Sequence, residues 1–165
     1  MDYRVFQTNQ ISDRDTFVSL VKSRIGAPYL WGGQGDNYFD CSGLIMWGLW
    51  KAGIHLKDMT SRAMASRWEN LQSTVPHKGC LCFYGRESVS HVMMVADVWD
   101  KLGEMFTLVG ARGGTSNTRS LEHAYQNNAM VSCVKGNYWS SRYKFMVDIF
   151  NKSGSYIGGI DNEVF

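Results

Sequence analysis

The chain has 165 residues, 44% hydrophobic and 13% aromatic, with a formal net charge of +2. That suits one globular domain with a single core and excludes a disordered or fibrous chain. The small charge gives no bulk electrostatic ground for nucleic-acid binding, and no apolar run approaches the length of a membrane span. Met1-Asp2-Tyr3-Arg4 lacks the basic-then-apolar pattern of a secretory signal.

Met1 to Gln10 read as a polar lead-in. Ser12-Asp13-Arg14-Asp15 is a helix start. Phe17, Leu20, Val21 and Ile25 then recur at helical spacing until Gly26-Ala27-Pro28 ends the element. Such a stripe is core packing. Tyr29 to Phe39 is a loop rich in glycine and aromatics. Its glycines permit backbone conformations closed to other residues and let a ligand approach the main chain. Trp31 and Tyr38 stand either as floor and wall of a cleft or as caps on the core.

Asp40-Cys41-Ser42-Gly43 opens an apolar run, Leu44-Ile45-Met46-Trp47-Gly48-Leu49-Trp50. Asp and Ser are helix-start residues, so the run predicts a buried helix reaching about Ala52 and stopping at Gly53. Cys41 then sits at a helix N-terminus, where free N–H groups and the helix dipole favour negative charge. A thiol there is expected to have a lowered pKa, and the same N–H groups suit the oxyanion of an acyl-transfer intermediate. Most cysteines only pack, so a catalytic reading needs a partnering histidine.

Gly26-Ala27-Pro28-Tyr29-Leu30-Trp31-Gly32-Gly33, followed by Phe39-Asp40-Cys41-Ser42-Gly43-Leu44, resembles the nucleophile motif of the NlpC/P60 family of cysteine peptidases. That family cuts bacterial cell-wall peptides on a papain-like fold. The resemblance implies Cys41 as nucleophile and Tyr29 beside it; Trp31 and Ser42 are taken with Tyr29 as substrate-binding residues.

Ile54-His55-Leu56 is a short connection, with His55 a loop residue. Ser61 to Leu71 reads as a helix with Ala63, Met64, Arg67, Trp68 and Leu71 on one face; Trp68 is read as packing. Pro76-His77-Lys78-Gly79 is a turn before a strand over Cys80 to Tyr84. The family usually has an acidic residue where Cys80 stands, so Cys80 is read as structural. One residue between Cys80 and Cys82 is poor spacing for a zinc pair. No metal and no cofactor is expected. The four cysteines, Cys133 included, are read as free, since a chain this long folds without staples and a nucleophilic thiol must stay unpaired.

Gly85 to Ser90 is a hairpin loop, and His91 to Val98 a buried strand. A strand start is a rigid mount for a general base. On the residues alone, His91 is either that base or a structural histidine. Ser90-His91-Val92 resembles the family's catalytic-histidine motif, which implies the base.

Met105 to Gly110 is the next strand, followed by Ala111-Arg112-Gly113-Gly114. In the family a third polar residue late on this strand orients the imidazole. Here Val109 or Gly110 falls at that position, and neither offers a side-chain hydrogen bond. A slipped register would place Thr107 there; a backbone carbonyl or water would also serve; or the enzyme is impaired. The reading taken is a working Cys41–His91 dyad with a third partner that is not a side chain. Asp97 lies too far along the strand from His91. Arg112 stands either as a solvated loop residue or as a bidentate holder of a substrate carboxylate. A short helix over Leu121 to Tyr125, with His123 structural, a strand over Met130 to Val134, Tyr138-Trp139 and a strand over Tyr143 to Phe150 complete the domain.

The fold expected is α+β, the papain-like NlpC/P60 fold, with N-terminal helices packed on a central antiparallel sheet. Residues 1–15 are a lead-in, 16–150 the catalytic domain and 151–165 a C-terminal extension outside the core. The activity implied is a cysteine endopeptidase acting on peptidoglycan stem peptides, at the bond between the γ-carboxyl of D-glutamate and the diamino acid. The alternatives are a papain-like N-acetylmuramoyl-L-alanine amidase and, from another class, a non-catalytic virion-structural or wall-binding module of the same fold. With no signal pattern, delivery by a phage holin or virion is expected, as for an endolysin or tail-associated lysin. No nucleic-acid partner and no membrane insertion is expected.

Overall fold

The computed structural model describes residues 11–100 and 102–161; the polar lead-in Met1 to Gln10 lies outside them. Ser12 caps α1 (Asp13–Lys22), its side chain accepting from the amide of Asp15, and Phe17, Val18 and Val21 are buried. Ile25 falls beyond the helix end and is half exposed, so the predicted stripe is one residue shorter. α2 (Cys41–Lys51) starts on Asp40 and buries Leu44, Ile45, Met46 and Leu49 completely. Each such side chain contributes roughly 1.5–3 kcal/mol of burial before entropy is counted. α3 (Ser61–Arg67) is capped by Thr60 and passes into a 3-10 turn over Glu69–Leu71. Its inner face is Met64, Ala65 and Trp68; Ala63, expected there, is exposed.

Five antiparallel strands follow in the order β4-β3-β2-β1-β5, with β1 Leu81–Tyr84, β2 His91–Val98, β3 Phe106–Arg112, β4 Met130–Lys135 and β5 Tyr143–Val147. Short α4 (Leu121–Gln126) precedes β4. Alternation of side chains across the pleat gives the sheet two faces. Leu81, Phe83, Val92, Met94, Val109, Val131 and Val147 belong to the core cluster that includes α1, α2 and α3. Cys80, Cys82, Tyr84, Met93, Val95 and Leu108 form a second cluster. Tyr84 at the end of β1 pairs with His91, and Met94 pairs with Val109, a register that places the start of β2 near the end of β3. The helices-on-antiparallel-sheet architecture is the one expected.

β3 runs two residues further than its sequence suggests. Arg112 is in the strand, paired with Met130. The segment after β5 also departs from expectation. Tyr156 packs against the core, Trp68 donates its indole N–H to the carbonyl of Gly158 (3.0 Å), and Arg67 holds Asp161 at 3.0 Å. Arg14 donates its amide to the Gly154 carbonyl (2.9 Å). The described part of the extension therefore straps α1 to α3.

Candidate active site

The turn into α2 is built by Asp40. Its Oδ1 accepts from the Gly43 amide (2.7 Å) and Oδ2 from the Gly32 amide (2.9 Å), so one carboxylate caps the helix and ties down the loop before it. Loop and helix touch at their backbones. A Cβ on Gly43 would lie 1.8 Å from the Gly33 carbonyl oxygen, and one on Gly33 would lie 2.8 Å from that of Leu30. Only glycine allows that approach. The motif's glycines and its Asp thus fix Cys41 at the first residue of α2.

His91 opens β2. α2 packs against β2, and the backbone amides of Val92, Ser42 and Cys41 act on the Cys41 sulfur, which places the histidine's strand against the helix start. Cys41 and His91 line one cleft of about 630 Å³. Tyr29, Trp31, Ser42 and Arg112 line it too. Tyr38, considered for a cleft wall, does not. Trp31 is half exposed at the rim. The Ser42 hydroxyl is turned to Asp40 (3.3 Å).

The electrostatics differ from the expectation of a lowered thiol pKa. Burial, then the charge of Asp40, pushes the Cys41 thiol up to about 11, although the amides around the sulfur pull the other way. Burial, then the neighbouring Arg112 cation, pushes His91 down to about 4. Burial thus favours the uncharged form of both groups that share the cleft. Burial, then the charges of Cys41 and Asp40, raises the Tyr29 phenol as well.

His91 is 9% exposed, and its Nε2 is buried with no partner among the described residues. Thr107 does not supply one. It pairs with Asp97 at the far end of the hairpin, some six strand residues or roughly 20 Å away, and its own hydroxyl is buried without a partner among the described residues. Asp97 itself is held by Lys22 (3.0 Å). The imidazole is enclosed instead by aromatic rings, Tyr84 at 6.0 Å and Trp139 at 5.5 Å between centroids. Trp139 takes a left-handed backbone (φ 56°), unusual for a bulky residue. Neither ring is marked by any motif in the sequence. The Tyr-Trp pair before the last strand was visible; its position over His91 comes from tertiary structure.

Arg112 donates from Nε to the Ser132 hydroxyl (2.6 Å) and lies over the Tyr138 ring at 5.1 Å. It is a half-buried strand residue facing the cleft, not a solvated loop residue. His55, His77 and His123 lie outside this cleft. His77, Cys80 and Asp148 bring their ligand atoms within 4.8 Å of one another. The oxygens of Asp148 are already engaged by Arg14, His77 and the Phe150 amide, so the group reads as a structural tie.

Helices on a five-stranded antiparallel sheet, with a cysteine at the head of a buried helix and a histidine at the start of the adjoining strand, define an α+β domain with a candidate thiol site. The NlpC/P60 family model matches residues 26–148, and the chain belongs to that family. A bifunctional muramidase/DL-endopeptidase of Bacillus subtilis is 28% identical over 129 residues, covering 76% of this chain and 34% of that protein. A probable endopeptidase of Mycobacterium tuberculosis is 47% identical over 53 residues, 32% of this chain and 14% of that protein. The chain thus spans only about a third or less of these relatives. An NlpC/P60 family protein from Bacillus cereus superposes with a TM-score of 0.60 at 20% identity, over 82% of this chain and 39% of that one. The P60 domain of a Mycobacterium avium paratuberculosis antigen gives 0.56 at 22%, over 84% and 93%. At such identity these structures speak to the fold.

Proposed function

We propose that this chain is a cysteine endopeptidase that cleaves peptidoglycan stem peptides between the γ-carboxyl of D-glutamate and the diamino acid. The observation that carries the reading is the Cys41 thiol at the head of α2, in one cleft with His91, with backbone amides that favour its charged form. Family membership and the similarity to a B. subtilis DL-endopeptidase support the substrate class.

Nε2 of His91 is walled in, so Nδ1 is the nitrogen that serves the thiol. As substrate enters, Nδ1 takes the Sγ proton and the thiolate attacks the γ-carbonyl carbon. Among the described residues no hydrogen bond joins the two side chains in the free protein; such contacts tighten in the Michaelis complex. The amides of Val92, Ser42 and Cys41 stabilise the negative charge as it shifts from sulfur to the carbonyl oxygen. The C–N bond then breaks, the imidazolium returns its proton to the leaving amine, and a thioester remains on Cys41. Water, deprotonated by His91, attacks the thioester and restores the thiol. The third member of a triad is replaced by packing: Tyr84 and Trp139 hold the ring where a hydrogen bond would otherwise orient it. The orphan Nε2–H costs about 1–3 kcal/mol.

Digestion of purified peptidoglycan with mass spectrometry of the fragments tests the reading. A new free amine on the diamino acid is the expected product. A new amine on L-alanine would instead identify the amidase, and no release from walls of several chemotypes would favour the non-catalytic module.

A further inference from the structure

The cleft does not end at His91. Ser90 and Trp139 are shared with a second depression of about 570 Å³, whose remaining wall is Gly85, Arg86, Glu87, Ser88 and Arg142. Its charge is lopsided. Arg86 and Arg142 line it; Arg62 reaches the Ser88 hydroxyl (2.8 Å) and Lys144 the Glu87 carbonyl (3.3 Å). Four cations therefore converge on the β1–β2 hairpin loop, against the single carboxylate of Glu87. Among the described residues neither Arg86 nor Arg142 has an ion-pair or side-chain hydrogen-bond partner. Trp139, in its left-handed conformation, lines both depressions. Backbone strain of this kind persists only where the surroundings impose it.

Chemistry fixes which part of a substrate would reach this groove. In acyl transfer the imidazole hands its proton to the leaving amine. The leaving group thus lies on the histidine side of the thiol, where the groove begins. We propose that the groove of Arg86 and Arg142 is a subsite for the carboxylate-bearing peptide on the leaving-amine side of the scissile bond. The proposal rests on the endopeptidase reading, in which that segment is the diamino acid and a terminal alanine. Arginine is suited to the task because its fork matches a carboxylate bidentately.

The test uses two synthetic substrates, L-Ala-γ-D-Glu-diamino acid-D-Ala with a free C-terminal carboxylate and the same peptide as its carboxamide. The wild-type chain is expected to favour the acid in kcat/KM by roughly fivefold to tenfold at low ionic strength, with the preference shrinking as salt is added. In Arg86→Gln/Arg142→Gln the acid-to-amide ratio falls to near one. Arg86→Gln alone, at an exposed position, gives a partial fall even if the double variant folds poorly. An unchanged ratio in both variants, or no acid preference in the wild type, overturns the proposal. If neither peptide is cleaved, the endopeptidase reading fails separately. Calorimetry of both peptides on Cys41→Ala, with and without the arginine changes, then decides the groove: acid-selective binding lost with the arginines upholds the anion site, and equal binding overturns it.

Discussion

Burial disfavours the charged forms of both Cys41 and His91, and this sets the expected response to pH. His91 titrates at about 4, so kcat/KM is expected to rise through about pH 4 and then stay level into the alkaline range. A rise centred near 6.5 would mean an ordinary imidazole. Stability follows the same residue. Its folded pKa lies below that of the unfolded chain, so on acidification the unfolded chain takes the proton first. The contribution is fully present above about pH 6.5 and is lost as pH falls through 4. Thermal unfolding midpoints should drop across that window, and drop less in His91→Phe. Asp40 pushes the thiol up by its charge; Asp40→Asn keeps an N-cap oxygen, and iodoacetamide alkylation of Cys41 should then rise at a lower pH. Trp139→Ala should lower kcat by about tenfold to a hundredfold by loosening the imidazole and move the acid limb toward 6.5 as water reaches Nε2, whereas Trp139→Phe keeps most of both. A purely structural Trp139 would leave the acid limb in place. At this scale the meeting of Cys41 and His91 in one cleft was legible because each sits in a patterned motif. The sign of the thiol's shift was not, because burial and Asp40 outweigh the helix terminus.

At the scale of elements, the caps and turns were the legible part. Ser12 and Asp40 each accept the hydrogen bond their position at a helix start suggests, and Thr60 does the same before α3, where the sequence shows only the helix. The end of β3 was not legible, because Ala111-Arg112-Gly113-Gly114 has the composition of a turn, while cross-strand pairing to Met130 extends the strand. That difference carries Arg112 from a loop into the wall of the cleft. The meeting of the glycine loop with α2 is testable by substitution. Gly43→Ala would drive a methyl into the Gly33 carbonyl and should cost roughly 1–3 kcal/mol together with activity. Gly48→Ala meets side chains of Val21 and Phe17 instead, which can shift, and should cost less in chemical denaturation. Equal losses would mean that the loop–helix contact is not special.

Taken whole, the described residues form a main core of helices on a five-stranded sheet and a smaller second cluster, with the segment after β5 strapped onto the helices. Sequence pattern placed that segment outside the core, since its three glycines carry no periodic signal. The contacts that dock it join residues far apart in the chain: Arg67 to Asp161, Trp68 to Gly158, and Arg14 to Gly154. Ending the chain after Phe150 should lower the unfolding midpoint by roughly 5–10 °C, read by calorimetry; no change would make the strap ornamental. The fold supports the cleft in which Cys41 is proposed to act. That role is tested most directly by comparing release of diamino-acid amines from purified peptidoglycan by the parent chain and by Cys41→Ala, with both proteins shown to unfold at similar temperature. Release by the parent alone is the predicted result. Equal release by Cys41→Ala would contradict it, because the sulfur would then take no part in the chemistry.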